Sequence, residues 1–435
     1  MSLPAPSPMP LAPAPSPAPE SELEHTNIHR RWALGFIVFF FLVLTGVPLA
    51  DLIIPMLTRD GKAQSLRERI PVLRVVLSPR SWHEYSFPIH ASGHVVEEPS
   101  RRIEQELEAG SVTKQWLQPR VQECLTINFS TGNNNVIIGK DGWLFFRPGI
   151  DHLAGHGFLQ TTSRRTNARY LDPQTVIIDF HRQCQSHGVG LLVVPISEKA
   201  AVDHRKLTSI PTNFAGAHHQ PANADFATWL RALSAAGVQV MPVDDLLRES
   251  AQHAKPFLPD DTHWTPSAMD AVARHIAHHF LLKGVVDTKT WQTEQRQITG
   301  QGDLTALLRL PHDSALFPPY TITIEKIIHP ATGAPWETSP TAPVLLLGDS
   351  FSNIYQSPSL GWGESAGLGA HLAKHLGCDM DVIAVNGDGA NGALRRLAMR
   401  RHPLREKRVI IWAFAERELS NAQWSLIVLG KNEDR

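Results

Sequence analysis

Short, mostly apolar runs alternate with amphipathic stretches through most of the chain. Runs of this length are too short for buried helices and are typical of strands that are buried on both faces. They comprise residues 191–194, 238–243, 344–347, 382–385 and 409–414. The stretches with helical spacing comprise residues 173–187, 222–236, 266–284, 353–376 and 391–400. This alternation predicts an α/β fold with three layers, in which a mainly parallel sheet is covered by helices on both faces.

Two segments depart from this alternation. The pair Asp141-Gly142 separates two apolar runs within residues 135–146, and Asp-Gly in this position is a strong signal for a β-hairpin. Residues 285–342 contain several prolines and an alternating stretch, residues 321–325, that is typical of an edge strand. We interpret residues 285–342 as an insertion in the α/β domain.

An uncharged stretch near the N-terminus predicts a membrane anchor. Residues 32–50 include many bulky apolar side chains and are long enough to cross a bilayer as one helix. The run is longer than the apolar core of a signal peptide, and Pro48-Leu49-Ala50 is a poor cleavage site. We therefore predict an uncleaved anchor over residues 32–53. Arg30 and Arg31 precede it and Asp51 follows it, which places the N-terminus in the cytoplasm.

The anchor divides the chain into further predicted regions. Residues 1–31 are rich in Pro, Ala and Ser and have too few large apolar residues to fold, so we predict a disordered cytoplasmic tail. Residues 101–125 have helical spacing within a region, residues 54–130, that we interpret as a helical stem. The α/β domain then occupies residues 131–430.

Composition limits the function and the compartment. The formal net charge is −1 and the isoelectric point is about 7.1, and no dense basic cluster occurs, so nucleic acid is not an expected partner. Three cysteines, Cys124, Cys184 and Cys378, are too few for a disulfide framework, although one bridge is possible. Cys184 falls beside apolar helical positions, so we expect it to pack in the core.

The first candidate for chemistry is the serine that follows the apolar run at residues 344–347. Gly348-Asp349-Ser350 comes next, followed by residues with helical character. A serine at such a strand-turn-helix junction has its hydroxyl exposed at the carboxyl edge of the sheet, where a nucleophile is needed. The alternative is an ordinary turn, because Gly, Asp and Ser are all common there.

The second candidate is the pair Asp261 and His263. A serine nucleophile requires an imidazole base, and the base requires a carboxylate that fixes its tautomer. Thr265 and Pro266 then begin a helix as cap and first helical residue, so the pair precedes a helix start. A metal pair and a plain helix cap are the alternatives, but no third ligand follows at a telling spacing.

Four other polar residues have features of site residues. Asn386 ends the run at residues 382–385, so its amide is a candidate oxyanion donor, although Asn-Gly is also a common turn pair. Asp349 is adjacent to Ser350 and cannot easily reach it through an imidazole, so we assign it a structural role. His275 and His279 have the spacing of a zinc pair but lack the accompanying glutamate, and no metal or cofactor is expected.

Four segments, taken in order, resemble the alginate O-acetyltransferase type of SGNH hydrolase-like protein. They are Ile138-Gly-Lys-Asp-Gly-Trp-Leu-Phe-Phe146, Asp261-x-His263-Trp264, Gly348-Asp349-Ser350-Phe351, and residues 409–414 followed by Glu416-Arg417. The resemblance covers about residues 100 to 425. Asp and His precede Ser here, which is the order of the acetyltransferase branch and the reverse of that in ordinary SGNH esterases.

The resemblance implies an O-acetyltransferase that acts on an exported polysaccharide, with Ser350, His263 and Asp261 as its catalytic residues. It also implies a membrane-bound O-acyltransferase partner as the acetyl source, and a bacterial inner-membrane location with the catalytic domain in the periplasm. Two alternatives stay open: an SGNH-type carbohydrate acetylesterase, and a non-catalytic polysaccharide-binding component of an export complex.

Overall fold

The structure is a computed structural model that describes residues 30–57, 111–159, 171–207, 221–281 and 289–430. The chain divides into two compact units, Met1–Trp116 and Leu117–Arg435. Residues 1–29 of the predicted disordered tail and most of the predicted stem lie outside the described residues, whereas Arg30 and Arg31, assigned to the tail, begin the first helix.

One long apolar helix is described in the first unit. Helix α1 (Arg30–Leu57) contains the uncharged stretch that was predicted as an anchor. Its segment Arg31–Asp51 is long and apolar enough to cross a membrane, and bulky side chains such as Phe36 and Leu42 are exposed along it. Helix α2 (Val112–Phe129) follows along the chain.

The second unit contains the α/β elements. Its first half comprises β1 (Val136–Ile138), β2 (Leu144–Phe146), α3 (Arg147–Ala154), α4 (Pro173–Ser186), β3 (Gly190–Ile196), α5 (Lys199–Val202), α6 (His204–Leu207), α7 (Phe226–Ala235), β4 (Gln239–Val240), α8 (Asp244–Ala251) and α9 (Pro266–Leu281). Its second half comprises β5 (Gln292–Gly300), α10 (Asp303–Leu308), β6 (Tyr320–Ile328), β7 (Val344–Gly348), α11 (Ser350–Asn353), a 3-10 turn (Pro358–Leu360), α12 (Leu368–Leu376), β8 (Met380–Ala384), α13 (Gly389–Ala398), β9 (Val409–Ala415) and α14 (Glu418–Asn421).

The main sheet has the strand order β4-β3-β9-β7-β8, and all of its paired neighbours are parallel. The register aligns Leu192, Ile411, Leu346 and Val382 across four strands. The predicted parallel sheet is therefore confirmed, and its strands come from the predicted apolar runs. The run at residues 238–243 is an exception, since only Gln239–Val240 forms a strand.

Helices cover both faces of this sheet. Along β7, Val344 and Leu346 belong to one buried hydrophobic cluster, whereas Leu345 and Leu347 belong to another. The first cluster includes side chains of α8, α9 and α12, and the second includes side chains of α4, α7 and α13. Strand β7 is therefore apolar on both faces, which explains why its sequence does not alternate.

The two exceptional segments form antiparallel pairs outside the main sheet. Strands β1 and β2 make the predicted hairpin, and β5 pairs with β6 within the predicted insertion. The three cysteines are free thiols, so the possible bridge is not formed, and Cys184 is buried in the core as expected.

Candidate active site

A tight turn at the end of β7 positions Ser350. Asp349 caps α11: its Oδ1 accepts the N–H of Phe351 at 2.9 Å and its Oδ2 accepts the N–H of Ala415 at 2.7 Å. These bonds connect the turn to the end of the neighbouring strand β9, which supports the structural role predicted for Asp349. A Cβ on Gly348 would lie 2.2 Å from Ser352 Oγ, so this close approach of the backbone requires glycine.

Three predicted residues form one hydrogen-bonded series. His263 Nε2 lies 2.8 Å from Ser350 Oγ, and His263 Nδ1 lies 2.7 Å from Asp261 Oδ1. Asp261 and His263 are buried in the loop between α8 and α9, whereas Ser350 is half-buried. This is the order of contacts that a nucleophile, a base and an orienting carboxylate require.

The carboxylate of Asp261 is held ionised by its donors. Besides His263, its Oδ2 accepts the indole N–H of Trp362 at 2.9 Å and the backbone N–H of Asp303 at 3.0 Å. Burial opposes ionisation, but the charge of His263 and the hydrogen bonds from His263 and Trp362 outweigh it and lower the pKa of Asp261 to about 2. The site therefore contains a carboxylate that stays charged beside the imidazole.

The contact between Asp261 and His263, which lowers the pKa of Asp261, raises the pKa of His263. Burial lowers the pKa of His263, but the charge of Asp261 and its hydrogen bond raise it, so that the net shift is upwards. Asp303 also raises this pKa, because its Oδ2 lies 3.7 Å from His263 Nδ1. The imidazole is thus made more basic than usual, which suits a proton acceptor.

A buried lysine donates hydrogen bonds to the backbone of the loop that contains Asp261. Lys199 Nζ donates to the carbonyl oxygens of Leu258 and Pro259, each at 2.7 Å, and of Asp261 at 3.0 Å. Burial lowers the pKa of Lys199 to about 7, although the charge of Asp261 opposes this. The ammonium also lies 4.9 Å from the ring centre of Trp143, so the predicted hairpin motif contributes to this support.

The predicted insertion, residues 285–342, also forms hydrogen bonds with this loop. Asp260 accepts the Gly302 N–H at 3.0 Å and the Tyr320 hydroxyl at 2.8 Å. The Tyr320 ring lies 5.2 Å from that of Trp362, which in turn donates to Asp261. The segment interpreted as an insertion therefore helps to fix the carboxylate of the site.

Two aromatic residues pack beneath the serine. Trp264 donates its indole N–H to the Phe351 carbonyl at 3.1 Å, and the Phe351 ring lies 4.8 Å from that of His263. Trp264 is completely buried, so it packs under the site rather than lining its opening.

Ser350 and His263 open into a cavity of about 660 Å³. A cavity of this size is typical of small-ligand sites. It is also lined by Arg417, which follows β9 and belongs to the closing-strand motif. Arg417 Nη1 lies 3.3 Å from both carboxylate oxygens of Glu198, and its Cζ lies 5.6 Å from the Phe351 ring centre.

Asn386 lies apart from this cavity. Its exposed side chain accepts a hydrogen bond from Asn353 at 2.9 Å and lines a neighbouring depression, whereas Gly387 and Gly389 line the cavity itself. The role of Asn386 as an oxyanion donor stays a prediction.

A second Ser-His-carboxylate series occurs beside the cavity. His152 Nδ1 lies 2.5 Å from Ser420 Oγ, and His152 Nε2 lies 3.2 Å from Glu416 Oε1. None of the three is among the described residues that line the cavity. Neither Ser420 nor His152 was singled out from the sequence, because 268 residues separate them.

Two groups of described residues bring three possible metal-ligating atoms within 4.8 Å of one another, and neither contains the zinc-spaced pair His275 and His279. One is Asp261, His263 and Asp303 of the site. The other is Asp270, His371 and His375, where Lys374 Nζ already lies 3.0 Å from the shared Asp270 oxygen. A protonated amine at that oxygen is typical of an ion-pair cluster.

Sequence reasoning missed Lys199, Asp303 and Trp362. Lys199 had a usable signal, since it lies three residues after the carboxyl end of a buried strand. Asp303 and Trp362 had no usable signal. Asp303 lies in the insertion and Trp362 lies in a later turn, and both segments are far from Asp261 in sequence.

The chain matches a family model described as an SGNH hydrolase-like domain, acetyltransferase AlgX, over residues 136–416. Two relatives are each named probable alginate O-acetylase AlgJ. That of Azotobacter vinelandii is 26% identical over 311 residues, which cover 68% of this chain and 72% of the relative. That of Pseudomonas aeruginosa is 26% identical over 315 residues, which cover 68% of this chain and 73% of the relative.

The solved O-acetyltransferase domain of Pseudomonas putida AlgJ matches with a TM-score of 0.50 at 21% identity, covering 66% of this chain and 93% of that domain. The predicted SGNH hydrolase-like fold is confirmed.

Proposed function

Because the chain belongs to the family of SGNH hydrolase-like acetyltransferase domains, we propose that it is an O-acetyltransferase that transfers an acetyl group through Ser350 to hydroxyls of an exported polysaccharide. The observation that carries this proposal is the series Ser350–His263–Asp261, which opens into a cavity. The names of the relatives, which refer to O-acetylation of a polysaccharide, support the acceptor class.

The first half-reaction forms an acetyl-enzyme. Ser350 Oγ attacks the acetyl carbonyl of the donor while His263 Nε2, 2.8 Å away, accepts the hydroxyl proton. Ionised Asp261 keeps the Nδ1–H tautomer and stabilises the imidazolium that forms. His263 then returns the proton to the leaving group of the donor.

The tetrahedral intermediate requires donors for its negative oxygen. We propose the backbone N–H of Ser350 as one donor, because it lies at the first turn after β7. The loop of Gly387 and Gly389 lines the same cavity and is the source we propose for a second donor. Asn386 is the less suitable alternative, because its side chain lines the neighbouring depression.

The second half-reaction transfers the acetyl group to the acceptor. A sugar hydroxyl in the cavity gives its proton to His263 and attacks the acetyl-serine, which regenerates Ser350. An esterase would use the same residues with water as the attacking group. Transferase and esterase therefore differ in what occupies the cavity, and the experiment below separates them.

We further propose that α1 anchors the chain in the bacterial inner membrane and that the catalytic unit lies in the periplasm. The length and apolar character of Arg31–Asp51, with arginines before it, support this orientation. A membrane-bound O-acyltransferase is the acetyl source we propose, because an anchored domain would lie close to such a partner.

The experiment uses the full-length chain in detergent micelles with 4-nitrophenyl acetate as donor and an oligosaccharide as acceptor. Acetate release and the mass of the sugar are followed together for the wild type, Ser350→Ala and Ser420→Ala. Serine-350-dependent acetyl gain on the sugar supports the transferase. Serine-350-dependent release of acetate with no acetyl gain on any acceptor supports the esterase, and activity unaffected by Ser350→Ala overturns both.

A further inference from the structure

More carboxylates than guanidinium groups line the cavity that contains Ser350. Five acidic side chains line it: Asp151, Asp303, Asp349, Asp388 and Glu418. Asp349 and Asp303 lie near the serine, as their contacts with α11 and His263 indicate. Asp151 and Asp388 are exposed, so both carboxylates are accessible to an acceptor in the cavity.

The two guanidinium groups of the cavity do not offset these charges. Arg417 contacts both oxygens of Glu198 at 3.3 Å and also lies 3.9 Å from Glu418. Arg395 Nη2 donates to Asp388 Oδ1 at 2.6 Å. A carboxylate on an incoming sugar would have to compete with a protein carboxylate for either cation.

Protonation reduces the charge of two of these carboxylates. Burial raises the pKa of Glu418 to about 7; Arg417 opposes this shift, while Asp349 raises the pKa further. Burial and the neighbouring Asp261 likewise raise the pKa of Asp303. A raised pKa favours the neutral acid, so the negative charge that an acidic sugar would meet comes mainly from the exposed Asp151 and Asp388.

Resting on the proposed function, we propose that the acceptor is a polysaccharide whose sugar units carry no carboxylate, and that the exposed Asp151 and Asp388 act as specificity-determining residues against polyuronates. Such an acceptor would differ from alginate, the polyuronate for which the relatives are named. Clefts dominated by one sign of charge change the local concentration of a charged ligand by about 10- to 1,000-fold, and the two ion-paired arginines place this cavity at the lower end of that range.

The test compares two acceptors of equal length, a neutral glucan oligosaccharide and a mannuronate oligosaccharide, with the full-length chain and 4-nitrophenyl acetate at low ionic strength. We expect acetyl transfer to the neutral sugar to be at least about tenfold faster. The difference should shrink as salt shortens the Debye length below about 10 Å. Equal or faster transfer to the uronate overturns the proposal.

A charge variant and a matched control test which residues are responsible. Asp388→Asn removes a carboxylate and leaves Arg395 without that partner, so the ratio of uronate to neutral transfer should rise about fivefold or more. The control is Asp141→Asn, which breaks a comparable exposed ion pair with Lys206 that does not line the cavity. An unchanged ratio in Asp388→Asn, or an equal change in Asp141→Asn, contradicts the assignment.

Binding to Ser350→Ala separates this proposal from the proposed function. The fluorescently labelled oligosaccharides are titrated into the full-length variant, and anisotropy is measured without any donor. Weaker binding of the uronate supports the charge selectivity even if Ser350 is not the nucleophile. Tighter binding of the uronate overturns the selectivity while leaving Ser350-dependent acetyl transfer intact.

Discussion

Among the described residues of the second unit, two Ser-His-carboxylate series occur, and the differences between them are informative. Ser350–His263–Asp261 and Ser420–His152–Glu416 both bring an imidazole within hydrogen-bond distance of a hydroxyl and a carboxylate. The three side chains alone therefore do not identify a catalytic site. The surroundings of each series must therefore be compared to tell which one is suited to catalysis.

Access is the first difference. Ser350 and His263 line a cavity of about 660 Å³, whereas Ser420 and His152 are not among the described residues that line it. A nucleophile needs space beside it for an acetyl group, and of the two serines it is Ser350 that lines the described cavity. Ser420 Oγ serves instead as a partner that satisfies a buried histidine.

The state of the carboxylate is the second difference. Asp261 accepts three N–H donors besides the ring of His263, and its pKa is lowered to about 2. Burial raises the pKa of Glu416, a shift that its hydrogen bond with His152 opposes but does not cancel, because Glu198 and Asp244 add repulsion. The first carboxylate is built to stay charged beside an imidazolium, and the second is not.

The largest expected effect is that of removing each serine. Ser350→Ala should reduce acetyl transfer by about 10³- to 10⁶-fold, because no other group can form the acetyl-enzyme. Ser420→Ala should change the rate by about twofold or less. Initial rates of acetate release and sugar acetylation measure both variants, and a larger loss in Ser420→Ala would reverse the assignment of the two series.

The next largest difference is expected between the effects on kcat/KM of replacing Asp261 and Glu416. Asp261→Asn should lower kcat/KM by about 10⁴-fold, because the amide favours the wrong tautomer of His263. Glu416→Gln should keep most of the activity. A small effect of Asp261→Asn would mean that the carboxylate does not orient the base.

The pH profile of kcat/KM sharpens this second comparison. His263 acts as a base only when it is neutral, and its pKa is raised, so activity should fall as the pH drops through a value above about 6.5. Asp261→Asn removes the charge that raises this pKa, so the residual activity should persist to lower pH. Glu416→Gln should leave the midpoint in place, and a midpoint that moves with Glu416 instead of Asp261 contradicts the account.

The indole donor gives a smaller effect. Trp362→Phe removes one N–H donor from Asp261 and should lower kcat about tenfold, corresponding to the loss of one hydrogen bond to a charged group. Tyr320→Phe is the matched control, because its hydroxyl donates to Asp260 and not to Asp261. Equal losses in the two variants would indicate a general loosening of the loop.

The smallest expected effect concerns stability against pH. Glu416 has a raised pKa in the folded state, so its ionisation destabilises the fold increasingly as the pH rises above its unfolded value near 4.5. Asp261 has a lowered pKa, so its stabilising contribution is present above about 3.8 and is lost as the pH falls through about 2.

Thermal unfolding across this pH range tests both signs. The Tm of Glu416→Gln relative to wild type should rise with pH above about 4.5, and that of Asp261→Asn should be lowest above about 4 and recover in acid. Parallel curves for the two variants would show that the two carboxylates have the same environment.

The fold followed from the sequence wherever burial imposed a pattern. Residues 344–347 and 409–414 lie in the centre of a parallel sheet and must be apolar on both faces, so their runs are unbroken. The run at residues 238–243 was predicted too long, because β4 is an edge strand with a single paired neighbour. An edge position imposes a weaker pattern than a central one.

The candidate site followed only in part. Ser350, His263 and Asp261 stood out because strand, turn and helix signals surround them. Lys199 and Trp362 act through contacts that join distant segments. The position of Lys199 after a buried strand could have marked it as a candidate but did not identify its partners, and Trp362 had no local pattern at all. No local pattern linked Ser420 with His152 either. The comparison between the two series could therefore be made only once the structure was known.

The most direct measurement is the position of the acetyl group itself. The full-length chain is mixed with 4-nitrophenyl acetate without an acceptor, quenched rapidly in acid and digested, and the peptides are analysed by mass spectrometry for wild type and His263→Ala. The account predicts one acetyl group on the peptide that contains Ser350, formed much more slowly in His263→Ala. An acetyl group on the peptide that contains Ser420, or acetylation of Ser350 that does not depend on His263, would contradict it.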